Sequence, residues 1–164
     1  MLTPAMQQAL NQTINAELYS ANLYLALSGW CDTKALRGFG RWLRAQYHEE
    51  LAHAEKLVDY VLLRGGSLAV GALEAPSVSA DTILGVFEAV QAHERKISLH
   101  IDALYGKAQS EKDMAAQVFL QWFVTEQVEE EANAADIVEK LKLVGERPGS
   151  ALYLDKEYGK RGKA

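Results

Sequence analysis

Prolines stand only at positions 4, 76 and 148 of this 164-residue chain, and no other feature constrains its fold so strongly. Between them run two long stretches with nothing to break a helix, since proline both removes a helical hydrogen bond and clashes with the preceding turn. Apolar residues recur in these stretches at three- and four-residue intervals, the pattern of a helix with one buried face. Leu10, Ile14, Ala21 and Tyr24 mark a first stripe, and Phe39, Leu43, Leu57 and Tyr60 a second. Ile83, Phe87, Val90, Ile97, Ile101 and Leu104 mark a third, and Leu120, Phe123, Ala134, Ile137 and Leu141 a fourth.

The ends of these helices are signalled locally. Thr3-Pro4 offers a hydroxyl cap followed by proline in the first turn. Gly65-Gly66 and Gly145 are stops, and Asp81 is a candidate cap for the third helix. Gly38 and Gly40 weaken the start of the second helix but would let another helix approach closely. The spacing predicts helices over about 4–30, 34–65, 81–106 and 112–144, with a short fifth at 150–158, all in a single domain spanning 1–164. Residues 66–80 are a linker with one charge, Glu74. At about 3.3 Å per residue such a linker reaches about 50 Å. A helix of about 28 residues is only about 42 Å long. The expected fold is therefore all-α: a four-helix bundle with a long crossover between helices two and three, and a short C-terminal helix.

Composition narrows the function. A net charge of −5 argues against a nucleic-acid partner and suits attraction of cations. No apolar run approaches the ~18 residues needed to span a membrane. Cys31 is the only cysteine, which excludes an intrachain disulfide, fits a reducing compartment and predicts a buried, inert thiol. The N-terminus lacks a basic segment followed by an apolar one, so a cytoplasmic location is expected. The basic end, residues 159–164, reads as a frayed tail.

Each stripe is interrupted near its middle by a side chain able to bind metal: Glu17, then Glu50 with His53, then Glu94, then Gln127 with Glu130. Glu50 and His53 are three apart and share a helix face. In the first hairpin 50 − 17 = 33, and in the second 127 − 94 = 33. Both midpoints, 33/34 and 110/111, fall in the expected turns, so antiparallel packing sets Glu17 beside Glu50 and Glu94 beside Gln127. Buried carboxylates and an imidazole in one layer cannot all stay ionised without a compensating cation. Mostly oxygen donors with one imidazole suit iron or manganese better than zinc. Glutamates from two helices and spaced pairs from two others make a two-metal bundle site.

With these residues in hand, Glu17, Tyr24, Glu49-Glu50-x-x-His53, Glu94 and Glu126-Gln127-x-x-Glu130, the chain resembles the bacterial non-haem ferritins from Thr3 to the final helix. The resemblance implies iron storage with ferroxidase activity, Fe(II) being oxidised by O2 or H2O2 and kept as mineral in a hollow homo-oligomeric shell of about 24 subunits. It implies a di-iron centre with Glu17, Glu50 and His53 on one iron and Glu50, Glu94 and Glu130 on the other, Gln127 lying close by. It further implies a third, weaker iron site drawing on Glu49, Glu126 and Glu129 and sharing Glu130. Tyr24, two turns from Glu17, is either a packed core phenol or an electron donor near the site; Trp122 is a second donor by resemblance alone. Haem is not expected: bacterioferritins repeat Glu-x-x-His in helix four and place a methionine before the second-helix histidine. Here those positions read Gln127-Val128-Glu129-Glu130 and Leu51-Ala52-His53.

Two other functions fit less well. A rubrerythrin-like peroxidase would need a Cys-x-x-Cys segment, which one cysteine cannot supply. A metal-free helical interaction module is separated by equilibrium iron binding, since no metal uptake at the bundle would favour it. His48, His93 and His100 lie off the stripes and are expected at a surface or interface.

Overall fold

The computed structural model describes residues 1–145 and 149–160. Among the described residues five helices follow one another: α1 (Pro4–Thr33), α2 (Arg37–Leu63), α3 (Ile83–Ser110), α4 (Met114–Val144) and α5 (Ser150–Tyr158). The boundaries differ from expectation mainly at the turns. Helix α1 runs on to Thr33 and α3 to Ser110, so the first turn shifts to 34–36 and the second shortens to 111–113. Helix α3 starts two residues late because Thr82, not Asp81, caps it, its hydroxyl accepting from the Gly85 amide at 3.0 Å. Pro148 and most of the basic end lie outside the described residues.

Side-chain pairs fix the helix directions. Asp32 meets Arg44 and Glu17 faces His53, so α1 and α2 are antiparallel. Thr13 meets His100 and Ser20 meets His93, so α1 and α3 are antiparallel as well. Helices α2 and α3 therefore run parallel, which requires residues 64–82 to travel the length of the bundle. An amide ladder on α1 carries that crossing: Gln7 accepts from the Ser67 amide, Asn11 bonds Ser67 and Ala69, and Asn15 accepts from Gly71. These side chains satisfy backbone groups that no sheet or helix would otherwise pair.

The two hairpins repeat at an offset of 77 residues. Glu94 − Glu17, Gln127 − Glu50 and Glu130 − His53 all give 77, and so do the starts of α4 and α2, 114 − 37. Even the strained turn residue repeats: Ala35 has φ +59° and Lys112 has φ +56°.

The apolar core is divided in two. At one end Leu27, Phe39, Leu43, Phe87, Val90 and Ile137 pack together with Leu154 of α5. At the other end Leu10, Ile14, Leu57, Ile101, Leu120 and Phe123 do the same. The polar mid-helix residues lie between. Helix α5 seals the first end through a close contact with α2. A Cβ on Gly38 would stand 1.6 Å from the Asp155 carbonyl oxygen, so only glycine fits there. Leu36 gives α2 no side-chain cap; the Asp155 carboxylate instead accepts from the Phe39 amide at 2.9 Å. Gly40 plays a similar part against α1, where a Cβ would come 3.0 Å from Asp32.

Candidate metal centre

Glu17, Glu50, His53, Glu94, Gln127 and Glu130 are all buried in the layer between the two apolar clusters. Helical periodicity puts them on inward faces, and the equal hairpin spacing brings them to one height. Glu17, Glu50 and His53 close most tightly, each offering a donor atom within 4.8 Å of the others. His53 Nδ1 lies 3.8 Å from Glu17 Oε2 and 3.5 Å from Glu50 Oε2. Glu17 Oε2 is buried with no hydrogen-bond partner. A carboxylate oxygen left so is costly, and a cation satisfies it.

The other acids are held by neutral donors. Tyr24 donates its hydroxyl proton to Glu94 Oε1, while Gln127 Nε2 donates to Glu94 Oε2 at 3.2 Å. Gln46 Nε2 donates to Glu130 Oε2 at 2.9 Å. Gln46 did not feature in the sequence reading, because neither the 33-residue hairpin spacing nor the family motif that picked out Gln127 reaches it. Its signal was present all the same, one helical turn ahead of Glu50 on the same stripe.

Crowding and dryness set the protonation states. Burial pushes Glu50 well above the ordinary carboxylate range; His53 opposes that and Glu17 adds to it. Burial also raises Glu94, against the stabilising bonds from Tyr24 and Gln127. His53 loses by burial, but Glu17 and Glu50 outweigh that and lift it to about 10. Tyr24 is driven well above its usual value, first by burial and then by Glu94 and Glu50. Without metal the layer therefore holds protons in place of cations. The Glu17, Glu50 and His53 group, two carboxylates with one imidazole and an orphaned oxygen, fits a hard or borderline divalent ion.

The residues expected at a third site lie differently. Glu49 and Glu126 are half-buried and Glu129 is exposed, and among the described residues they do not close to the spacing of the Glu17 group. Trp122 packs its ring edge-on to His53 at 5.3 Å and carries the Lys56 ammonium over its face at 4.2 Å. Of the off-stripe histidines, His48 is exposed as expected. His93 and His100 are half-buried, each with Nε2 against an α1 hydroxyl: Ser20 at 2.8 Å and Thr13 at 3.0 Å. Cys31 is buried as expected, its thiol pushed up by burial to about 12. Among the described residues no helix is long and apolar enough to cross a membrane.

Comparison with known proteins agrees with this geometry. The family model for the ferritin-like domain matches residues 7–144. The bacterial non-haem ferritin of Bacteroides fragilis is 41% identical over 161 residues, covering 98% of this chain and 100% of that protein. That of Escherichia coli is 34% identical over 157 residues, covering 96% of this chain and 95% of the other. A crystal structure of the open-pore ferritin from the hyperthermophilic archaeon Archaeoglobus fulgidus superposes with a TM-score of 0.96 at 48% identity, covering 98% and 99% of the two chains.

Proposed function

The chain belongs to the ferritin family, as an iron-storage protein with ferroxidase activity, and we propose that it oxidises Fe(II) at the buried layer described above. Glu17, Glu50 and His53 take one Fe(II); Glu50, Glu94 and Glu130 take the other, with Glu50 between them and Gln127 steadying Glu94. One electron leaves each ion, and dioxygen or hydrogen peroxide accepts the pair. Holding two metals side by side lets both atoms of the oxidant be engaged at once. The observation that carries this reading is the tight Glu17, Glu50 and His53 group with its unsatisfied carboxylate oxygen.

The protein's own part is to give up protons and hold oxygens still. His53 must present a bare Nδ1 to the ion, so its proton leaves as iron enters. Tyr24 and Gln127 fix both oxygens of Glu94 before iron arrives, which lowers the cost of reorganisation on binding. The third site uses Glu49, Glu126 and Glu129 with Glu130. Their greater exposure favours a wetter, weaker site. The ferric product is stored in a cytoplasmic, hollow homo-oligomer of about 24 subunits.

Stopped-flow mixing of apoprotein with Fe(II) and oxygen tests the site. Glu50→Ala and His53→Ala should each slow oxidation by at least about 10- to 100-fold, the scale already reached when a residue that only orients a metal ligand is lost. An unaltered rate in either variant would remove the layer from the reaction.

A further inference from the structure

Gln46 is fully buried, stands in the acidic layer, and has no part in the ligand sets above. Its orientation is set by chemistry: Nε2 must face Glu130 Oε2, because the amide oxygen there would meet a second acceptor. Its own Oε1 is left buried without a donor, a cost that a purely structural position would be expected to avoid.

The internal repeat gives Gln46 a counterpart. Adding the 77-residue offset, 46 becomes 123 and 53 becomes 130. Phe123 packs its ring against His53 at 6.1 Å, and Gln46 bonds Glu130 at 2.9 Å. Equivalent positions on α4 and α2 thus support equivalent side chains, His53 and Glu130, by means suited to each. A ring edge needs an apolar wall, and a carboxylate needs an N–H. An amide also fits better than lysine or arginine, whose charge would cancel that of Glu130 and repel an incoming cation.

We propose that Gln46 is a positioning residue of the iron centre, presenting Glu130 to the second iron as Phe123 steadies His53 for the first. The proposal rests on Glu130 being a ligand, as inferred above. Its amide fixes one carboxylate oxygen and leaves the charge of the group intact. Gln46 acts through Glu130 and does not itself touch the reacting atoms.

The test is titration of the assembled apoprotein with Co(II), whose visible spectrum reports occupancy and geometry without redox chemistry. Wild-type protein should show a binding event that Glu130→Ala weakens strongly but leaves measurable at high Co(II); if Glu130→Ala changes nothing, the ligand assignment itself fails. Gln46→Met, close in volume and without a donor, should weaken that event about 10-fold or more and leave the Glu17, Glu50 and His53 event within about 2-fold. In the Glu130→Ala background Gln46→Met should have no further effect, as a double-mutant cycle requires of a residue acting through another. Gln46→Leu, likewise without a donor, is read in the same way should the methionine variant misassemble. Equal binding in wild type and both Gln46 variants would overturn the proposal. So would a uniform loss of both events, or an undiminished Gln46 effect without Glu130.

Discussion

Protons govern the chemistry at the scale of single residues. Because His53 is lifted to about 10, the apoprotein at pH 7 carries an imidazolium where a metal needs a lone pair. Metal binding at neutral pH should therefore release at least one proton, and affinity should rise with pH until His53 titrates near 10. Co(II) added to weakly buffered protein with a pH indicator measures this; the release should shrink in His53→Ala. His93 is opposite in sign. Burial, opposed by Glu17 and helped by Lys96, lowers it to about 4. An unfolded histidine titrates near 6.5, so between about 6.5 and 4 the unfolded chain binds more protons than the folded one. Stability should fall as pH drops through that window. His93→Gln, which keeps a donor for Ser20, should lose less stability between pH 7 and pH 4.5 in urea denaturation than the parent does. The buried acids and His53 stood out one by one, since carboxylates and imidazole on apolar stripes contradict burial. Gln46 did not, because neither the equal hairpin spacing nor the family motif that marked Gln127 points to position 46.

At the scale of elements, the sequence disclosed the helices and the equal hairpin spacing, and with them the level at which the acids meet. It also suggested the crossover, since a short turn cannot be spread over so many residues. What it hid were contacts distant along the chain. The capping of α2 by Asp155 spans 116 residues and leaves no local mark. The anchoring of the crossover by Gln7, Asn11 and Asn15 looks in sequence like an ordinary polar helix face. The left-handed turn residues Ala35 and Lys112 were unforeseeable, because glycine is the usual choice there. Gly38 permits a sharp test of the α2–α5 contact. Gly38→Ala forces its new methyl group into backbone, so α5 must shift. The expected cost is about 1–3 kcal/mol, the scale of overpacking. A lowered melting temperature and faster proteolysis C-terminal to α4 would register it; an unchanged melting temperature would show that α5 can yield without loss.

The whole molecule is expected to work as a container, and that is measurable directly. Native mass determination should give a particle many times the 18.1 kDa chain, and loading with Fe(II) in air should give many irons per chain, far beyond the few that the buried layer can seat. A monomer in solution, or iron limited to the layer itself, would contradict storage. The division of the core carries a further consequence. Each end of the bundle has its own apolar cement, and the reactive waist supplies little of it. The midsection is thus exchangeable: replacing its acids together with Tyr24, Gln46 and Gln127, which bond them, by apolar residues of similar volume should leave the rods standing and even sturdier when empty. Tinkering with the chemistry of such a chain need not gamble with its architecture.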